Sequence, residues 1–272
     1  MKLLAIIEYT FREGLARKTI IGFFVISSFF LLLALIGAVF MPSTIEIGNP
    51  QSGQETVNVM SNQEVVRGVQ TFLTGFINFA ALVLSIFATA SILPNTMEKG
   101  SIDLLLSKPV SRDEILFGKF IGSLLIVLVN VAYYIIGMWL IFGVRTGFWN
   151  TGFLAVTLSI TFTFLVLYTP MMVIGIASRS SALTIIILYI YLFLVSPILE
   201  ARTIIAELVQ NETVSHVLDV FYYPLPKPDA LGQLSQNLVM NQPIDWMPVW
   251  TSALFAAAMY VLAVALFRRK DF

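Results

Sequence analysis

Few side chains in this sequence could do chemistry, and their types and spacing limit what that chemistry is. Cysteine is absent and His216 is the only histidine among 272 residues, which excludes disulfides and thiolate metal sites but leaves the compartment open. A lone imidazole in a polar stretch is read as a surface residue rather than a ligand. Met138, Met171, Met172 and Met259 are scattered, so no soft-metal site is expected. Serines within the apolar stretches have no histidine or carboxylate there to activate them, which argues against an intramembrane enzyme. No G-x-x-x-x-G-K-[ST] phosphate loop occurs, because the Gly118-Lys119 pair runs into Phe120. What remains is a charged run. Glu98, Lys99, Asp103, Lys108, Arg112, Asp113, Glu114 and Lys119 place eight charges of both signs within 22 positions.

The elements that hold this run are apolar. The chain is 58% hydrophobic and only 12% charged, against roughly 25% charged in a soluble domain. Six charge-free runs of 20 to 33 residues lie between charged positions, and a helix needs about 20 apolar residues to span a bilayer. Spans are expected near 19–40, 72–93, 120–142, 153–176, 182–199 and 248–267. They are too long and too uniformly apolar for barrel strands. The expected fold is therefore an all-α integral membrane protein, one transmembrane domain over residues 1–272. Its first span reads as a retained anchor rather than a signal peptide. The spans contain no Asp, Glu, Lys, Arg or His, which disfavours an ion-coupled carrier. Nothing in the charge pattern calls for nucleic acid.

Orientation follows from the loop cations. With the amino terminus in the cytoplasm, twelve Lys and Arg fall inside and only Arg67, Arg145, Arg202 and Lys227 outside, although the net charge is zero. Both termini are then cytoplasmic, in a cell inner membrane. Residues 1–18 form an amphipathic pattern in which Leu3, Leu4, Ile7, Phe11 and Leu15 share an arc of about 120°; a helix lying in the inner interface, in contact with lipid, is expected. Residues 41–71 are expected to lack a fold of their own. Residues 200–247 show helical spacing at Ile204, Ile205, Leu208, Val209, Val217, Leu218 and Phe221, and Asp229 is a candidate cap for a further short helix.

The charged run lies in the segment 94–119. A short helix is expected from Glu98 to Ser107, ended by Pro109. Ser111 and Glu114 have capping-box spacing, and Val110 and Ile115 that of a hydrophobic staple, so the third span is expected to start at Ser111. Such a segment serves equally as a lever gripped by a partner or as a loop that orients the protein. Gly118 and Gly122, and the stripe Ala81, Ser85, Thr89, are read as helix-packing positions. Pro170 is expected to kink the fourth span and free a carbonyl.

The pattern E-x-G-x-x-D-x-L-L-S-x-P-V-S-R-x-x-x-L-x-G-K, from Glu98 to Lys119, resembles the motif between the second and third spans of ATP-binding-cassette (ABC) permeases of the type-2 exporter class. The span count, the amino-terminal helix and the long fifth loop match that family along the whole chain. In tone the motif is closest to permeases that serve nitrous-oxide-reductase maturation. The resemblance implies that this segment is a coupling helix docking on a separate cytoplasmic ATPase, with Glu98, Gly100, Asp103, Leu105, Leu106, Pro109 and Arg112 on the docking surface. It implies ATP and magnesium on that partner, no cofactor on this non-catalytic chain, and a second permease copy, most simply a homodimer. The expected function is ATP-driven export. The alternatives are a mechanotransmitter driving an extracytoplasmic partner through residues 200–247, and an ion-coupled carrier.

Overall fold

A computed structural model describes residues 2–15, 18–40, 45–48, 57–60, 62–97, 111–210 and 212–270. The elements are α1 (Lys2–Leu15), α2 (Lys18–Phe40), β1 (Ile45–Gly48), β2 (Val57–Met60), α3 (Asn62–Thr89), α4 (Ile92–Thr96), α5 (Arg112–Thr146), α6 (Thr151–Ser178), α7 (Ser181–Glu200), α8 (Arg202–Val209), α9 (Glu212–Tyr222), α10 (Pro228–Met240) and α11 (Met247–Arg269). Six of these stretches are long and apolar enough to cross a membrane: α2, α3 with α4, α5, α6, α7 and α11. The chain is a multi-pass membrane protein, all-helical among the described residues apart from one short hairpin.

Two boundaries differ from the charge-based reading. The second span begins as helix at Asn62, ten residues before the expected start, and the third extends to Thr146. Charges at Glu64 and Arg67 end the apolar run but not the helix, since a helix stops for lack of backbone partners rather than at the first polar side chain. Residues 41–71 are also more regular than expected. Strands β1 and β2 pair antiparallel with Ile45 opposite Met60 and Gly48 opposite Val57, and helix α3 takes the rest from Asn62.

Helix α6 is the axis of the core. Phe153, Val156, Ile160, Phe164, Met172 and Ile176 are fully buried, and α6 packs against α3, α5, α7, α10 and α11. In the most apolar window of α3 and of α6, 61% of residues are buried, against 17% in α2 and α11. The latter two therefore lie at the periphery, where lipid or another chain completes their surroundings. Pro170 does not leave an open carbonyl. Its missing N–H would have bonded Val166 O, and the Thr169 hydroxyl donates to that oxygen instead at 3.1 Å; α6 runs on to Ser178. In α7 the turn Tyr191–Val195 widens to a π-helix just before Pro197, which likewise has no N–H for the ladder.

The bundle has two polar ends. One, the terminal face, gathers α1, the start of α5, the α6–α7 corner and the end of α11; the far face gathers the α5–α6 corner and α8 to α10.

Candidate functional site

Of the docking residues expected from the motif, Glu98, Gly100, Asp103, Leu105, Leu106 and Pro109 lie outside the described residues, as does Val110. What the structure places is the base on which that segment is mounted. Helix α5 begins with Ser111 as its cap. The Ser111 N–H donates to Glu114 Oε2 at 2.8 Å and the Glu114 N–H donates back to Ser111 Oγ at 3.2 Å, so two otherwise orphaned donors satisfy each other's residues. Ile115 is buried one turn into the helix.

Arg112 faces its own chain. Its Nη1 donates to Arg268 O at 3.1 Å and to Lys270 O at 2.9 Å, capping the carboxyl end of α11, where a cation also meets the negative pole of the helix. Asp113 grips the same turn, accepting from Arg268 Nε at 2.8 Å and again from Nη2. Lys270 donates in turn to Ile176 O at 2.5 Å and Ala177 O at 2.9 Å, capping α6. The starts and ends of three spans are thereby joined in one charged cluster. At the other end of α5, Arg145 Nε donates to Ala38 O at 3.1 Å and caps α2. Helix α5 is uninterrupted over 35 residues, roughly 50 Å at 1.5 Å per residue, and each of its ends holds the end of another span.

Helix α1 is fastened to the same rod. A Cβ on Gly118 would lie 2.5 Å from Ile6 Cγ2, and one on Gly122 would lie 2.6 Å from Thr10 Cβ. The two glycines are the groove into which α1 sinks. The face of α1 used here is Ile6, Thr10 and Gly14, displaced from the apolar arc that contains Ile7 and Phe11. Between the glycines, Lys119 is 1% exposed and its Nζ lies 2.6 Å from Glu13 Oε2, with the Tyr9 ring 5.0 Å away. Charge counting marks Lys119 only as a membrane boundary; its burial depends on the glycines on either side.

At the far face amides and hydroxyls carry many of the contacts, beside the Arg202–Asp219 ion pair at 3.2 Å. Asn150 caps α6 through the Gly152 N–H at 3.1 Å, and its Nδ2 donates to Gln70 Oε1 at 2.9 Å and Val239 O at 3.0 Å. Ser235 bonds Ser159 at 2.8 Å. Helix α10 starts at Pro228 with Lys227 as the preceding residue, so Asp229 does not cap it as expected; its carboxylate accepts from Ser196 on α7 at 2.5 Å. Within the spans the polar groups missed by a search for ionisable residues are amides, Asn78 and Asn130, both buried. An isolated Asn in an apolar run is the signal that finds them. Among the described residues no three His, Asp or Glu side chains converge as a metal site would, and His216 is exposed on α9.

Six crossing helices, with charged caps at one end and a helix laid against the third span, define a multi-pass membrane subunit without a nucleotide fold of its own among the described residues. A family model described as ABC-2 family transporter protein matches residues 4–272, and the chain belongs to that family. It is thus an ABC permease subunit, of a kind that works with an ABC ATPase subunit. No curated protein matches the chain.

Proposed function

We propose that this chain is the membrane subunit of an ATP-driven exporter, paired with a second copy of itself, in which hydrolysis on a partner ATPase is transmitted through residues 98–112. Both termini and the terminal face lie in the cytoplasm, in keeping with the twelve cations on that side, and the protein resides in a cell inner membrane. ATP and magnesium belong to the ATPase, and this chain catalyses no reaction. Within the family we place it beside the permeases of nitrous-oxide-reductase maturation, whose motif residues 98–119 resemble.

The observation that carries this reading is the mounting of α5. A push on the segment before Ser111 meets a capped helix start joined to α11 and α6, so it moves three spans together instead of bending a loop. Co-purification tests it. From native membranes, gently solubilised tagged protein is expected to bring down an ATPase, and Glu98→Lys with Asp103→Lys is expected to abolish that association and transport. Retention of both by the double variant overturns the docking surface. Arg112→Glu is a poorer probe, because it also uncaps α11.

One observation favours a second reading, a mechanotransmitter that drives a partner on the opposite side. On α8 and α9, Ile204, Leu208, Val220 and Phe221 are exposed, apolar side chains that a docked partner would cover. Replacing Ile204, Leu208 and Phe221 by glutamine separates the two. A transmitter loses partner activation with ATP turnover intact; an exporter keeps both. An ion-coupled carrier would stop when the proton gradient is collapsed at constant ATP.

A further inference from the structure

Between α3, α7 and α10, in the half of the bundle away from the termini, lies a cavity of about 320 Å³, a size within the range of small-molecule sites. Glycine builds it. A Cβ on Gly75 would fall 2.8 Å from Gln236 Nε2, and one on Gly232 would fall 2.7 Å from Asn78 Nδ2, so two side-chain amides occupy the room that the two glycines leave between α3 and α10. The π-helical turn of α7 brings Leu192 and Phe193 to the opposite wall, and such turns recur at binding sites.

Three features of the cavity ask for the same ligand chemistry. First, Asn78 is 8% exposed, yet its Oδ1 is buried with no hydrogen-bond partner; an orphaned acceptor in a buried site calls for a donor. Second, Asp229 stands in the lining with one oxygen on the Ser196 hydroxyl, and among the described residues no lysine or arginine pairs with it. Third, Phe79 and Phe193 meet edge to face at 5.4 Å, an aromatic wall that attracts a cation and shelters an alkyl chain. Among the described residues no Lys, Arg or His lines the cavity, so an anionic head would face the Asp229 carboxylate with no cation to offset it.

We propose that this cavity binds the primary-ammonium head of an amphiphile, whose N–H groups donate to the Asp229 carboxylate and to Asn78 Oδ1 while its chain follows Phe79 and Leu82. The proposal is independent of ATPase docking. The same head is carried by a single-chain alkyl amine and by an ethanolamine-headed lipid, and the two sources are separable.

The full chain in phosphatidylcholine nanodiscs, without any ATPase, is titrated with dodecylamine and with dodecyltrimethylammonium while its Tm is followed. A parallel set replaces half the lipid with phosphatidylethanolamine. The expected result is a saturable rise in Tm with dodecylamine, none with the trimethyl compound, and at least tenfold weaker response in Asp229→Asn and Asn78→Leu. Asp229→Asn retains an acceptor for Ser196, so it decides alone if Asn78→Leu does not fold. A Tm rise confined to the ethanolamine lipid and lost in Asp229→Asn assigns the site to lipid. Equal responses of the wild type and Asp229→Asn to both the amine and the lipid overturn the proposal.

Discussion

At the terminal face Lys119 is buried against a carboxylate, and at the far face Lys227 is buried without one. Lys119, 1% exposed, has Glu13 at 2.6 Å. Lys227, 3% exposed, donates to Tyr223 O at 3.2 Å, Leu225 O at 3.5 Å and Thr251 Oγ1 at 2.9 Å, with the Tyr222 ring 4.8 Å away. One ammonium keeps a counter-charge in a place where losing it is costly; the other is solvated by neutral oxygens and a ring, as a dehydrated cation can be. The difference runs through the whole molecule. The terminal face is joined chiefly by ionic helix caps, while at the far face charged contacts such as Arg145 on α2 and Arg202 with Asp219 share the work with Asn, Gln and Ser. A charged cluster suits the end where a partner's force is proposed to enter, because it ties three helix ends together where water reaches them. An amide web is better placed where groups must be satisfied out of reach of water.

The comparison can be broken at its strongest point first. Glu13→Ala removes the carboxylate opposite a buried ammonium, and we expect a loss of about 3 kcal/mol, in the range seen when one partner of a buried pair is deleted. Lys119→Met should cost less, since Glu13 is 26% exposed and can turn to water. Denaturant unfolding in mixed micelles measures both, and the reverse order would show that Lys119 is not the dependent partner.

At the far face, Asn150→Ala removes a helix cap and two buried hydrogen bonds together. A loss of about 2 kcal/mol is expected, read in the same assay and in faster hydrogen exchange of the first turn of α6. An effect near zero would mean that Gln70 and Val239 find other partners.

The smallest expected effect separates the two lysines by pH. Burial pushes the Lys227 pKa below its usual value, the nearby Arg202 cation adds to this, and Glu200 partly opposes it. The unfolded chain then holds this proton to higher pH than the folded one does, so between the lowered pKa and the ordinary lysine value folding gains stability as pH rises. Wild type should therefore gain Tm relative to Lys227→Met on going from pH 7.5 to about pH 10. A constant difference across that range would mean that Lys227 titrates as an ordinary surface lysine.

Much of the architecture was legible in the residues because lipid imposes a rule that composition obeys. Charges are excluded from the hydrocarbon, so the gaps between them show all six spans, and the Ser111/Glu114 spacing indicates where α5 starts. The reading failed where a helix outlasts its apolar run, as α3 does below Phe72, and where a polar residue has two possible tasks. Asp229 has the position of a cap, but Ser196, 33 residues away, claims its carboxylate. Arg112 stands in the docking motif and also bonds the end of α11, a second contact the motif does not show. Asn78 passes unnoticed in a search for charge.

The number and order of the spans were settled by sequence alone, since each span depends only on the transfer of a local stretch between water and lipid. Which side chains share a site was decided by the tertiary structure. Gly118 and Gly122 admit α1 and so bury Lys119; Gly75 and Gly232 admit Gln236 and Asn78 and so leave an acceptor without a donor. Such outcomes follow from how closely two backbones approach, a distance that no single helix carries in its own pattern.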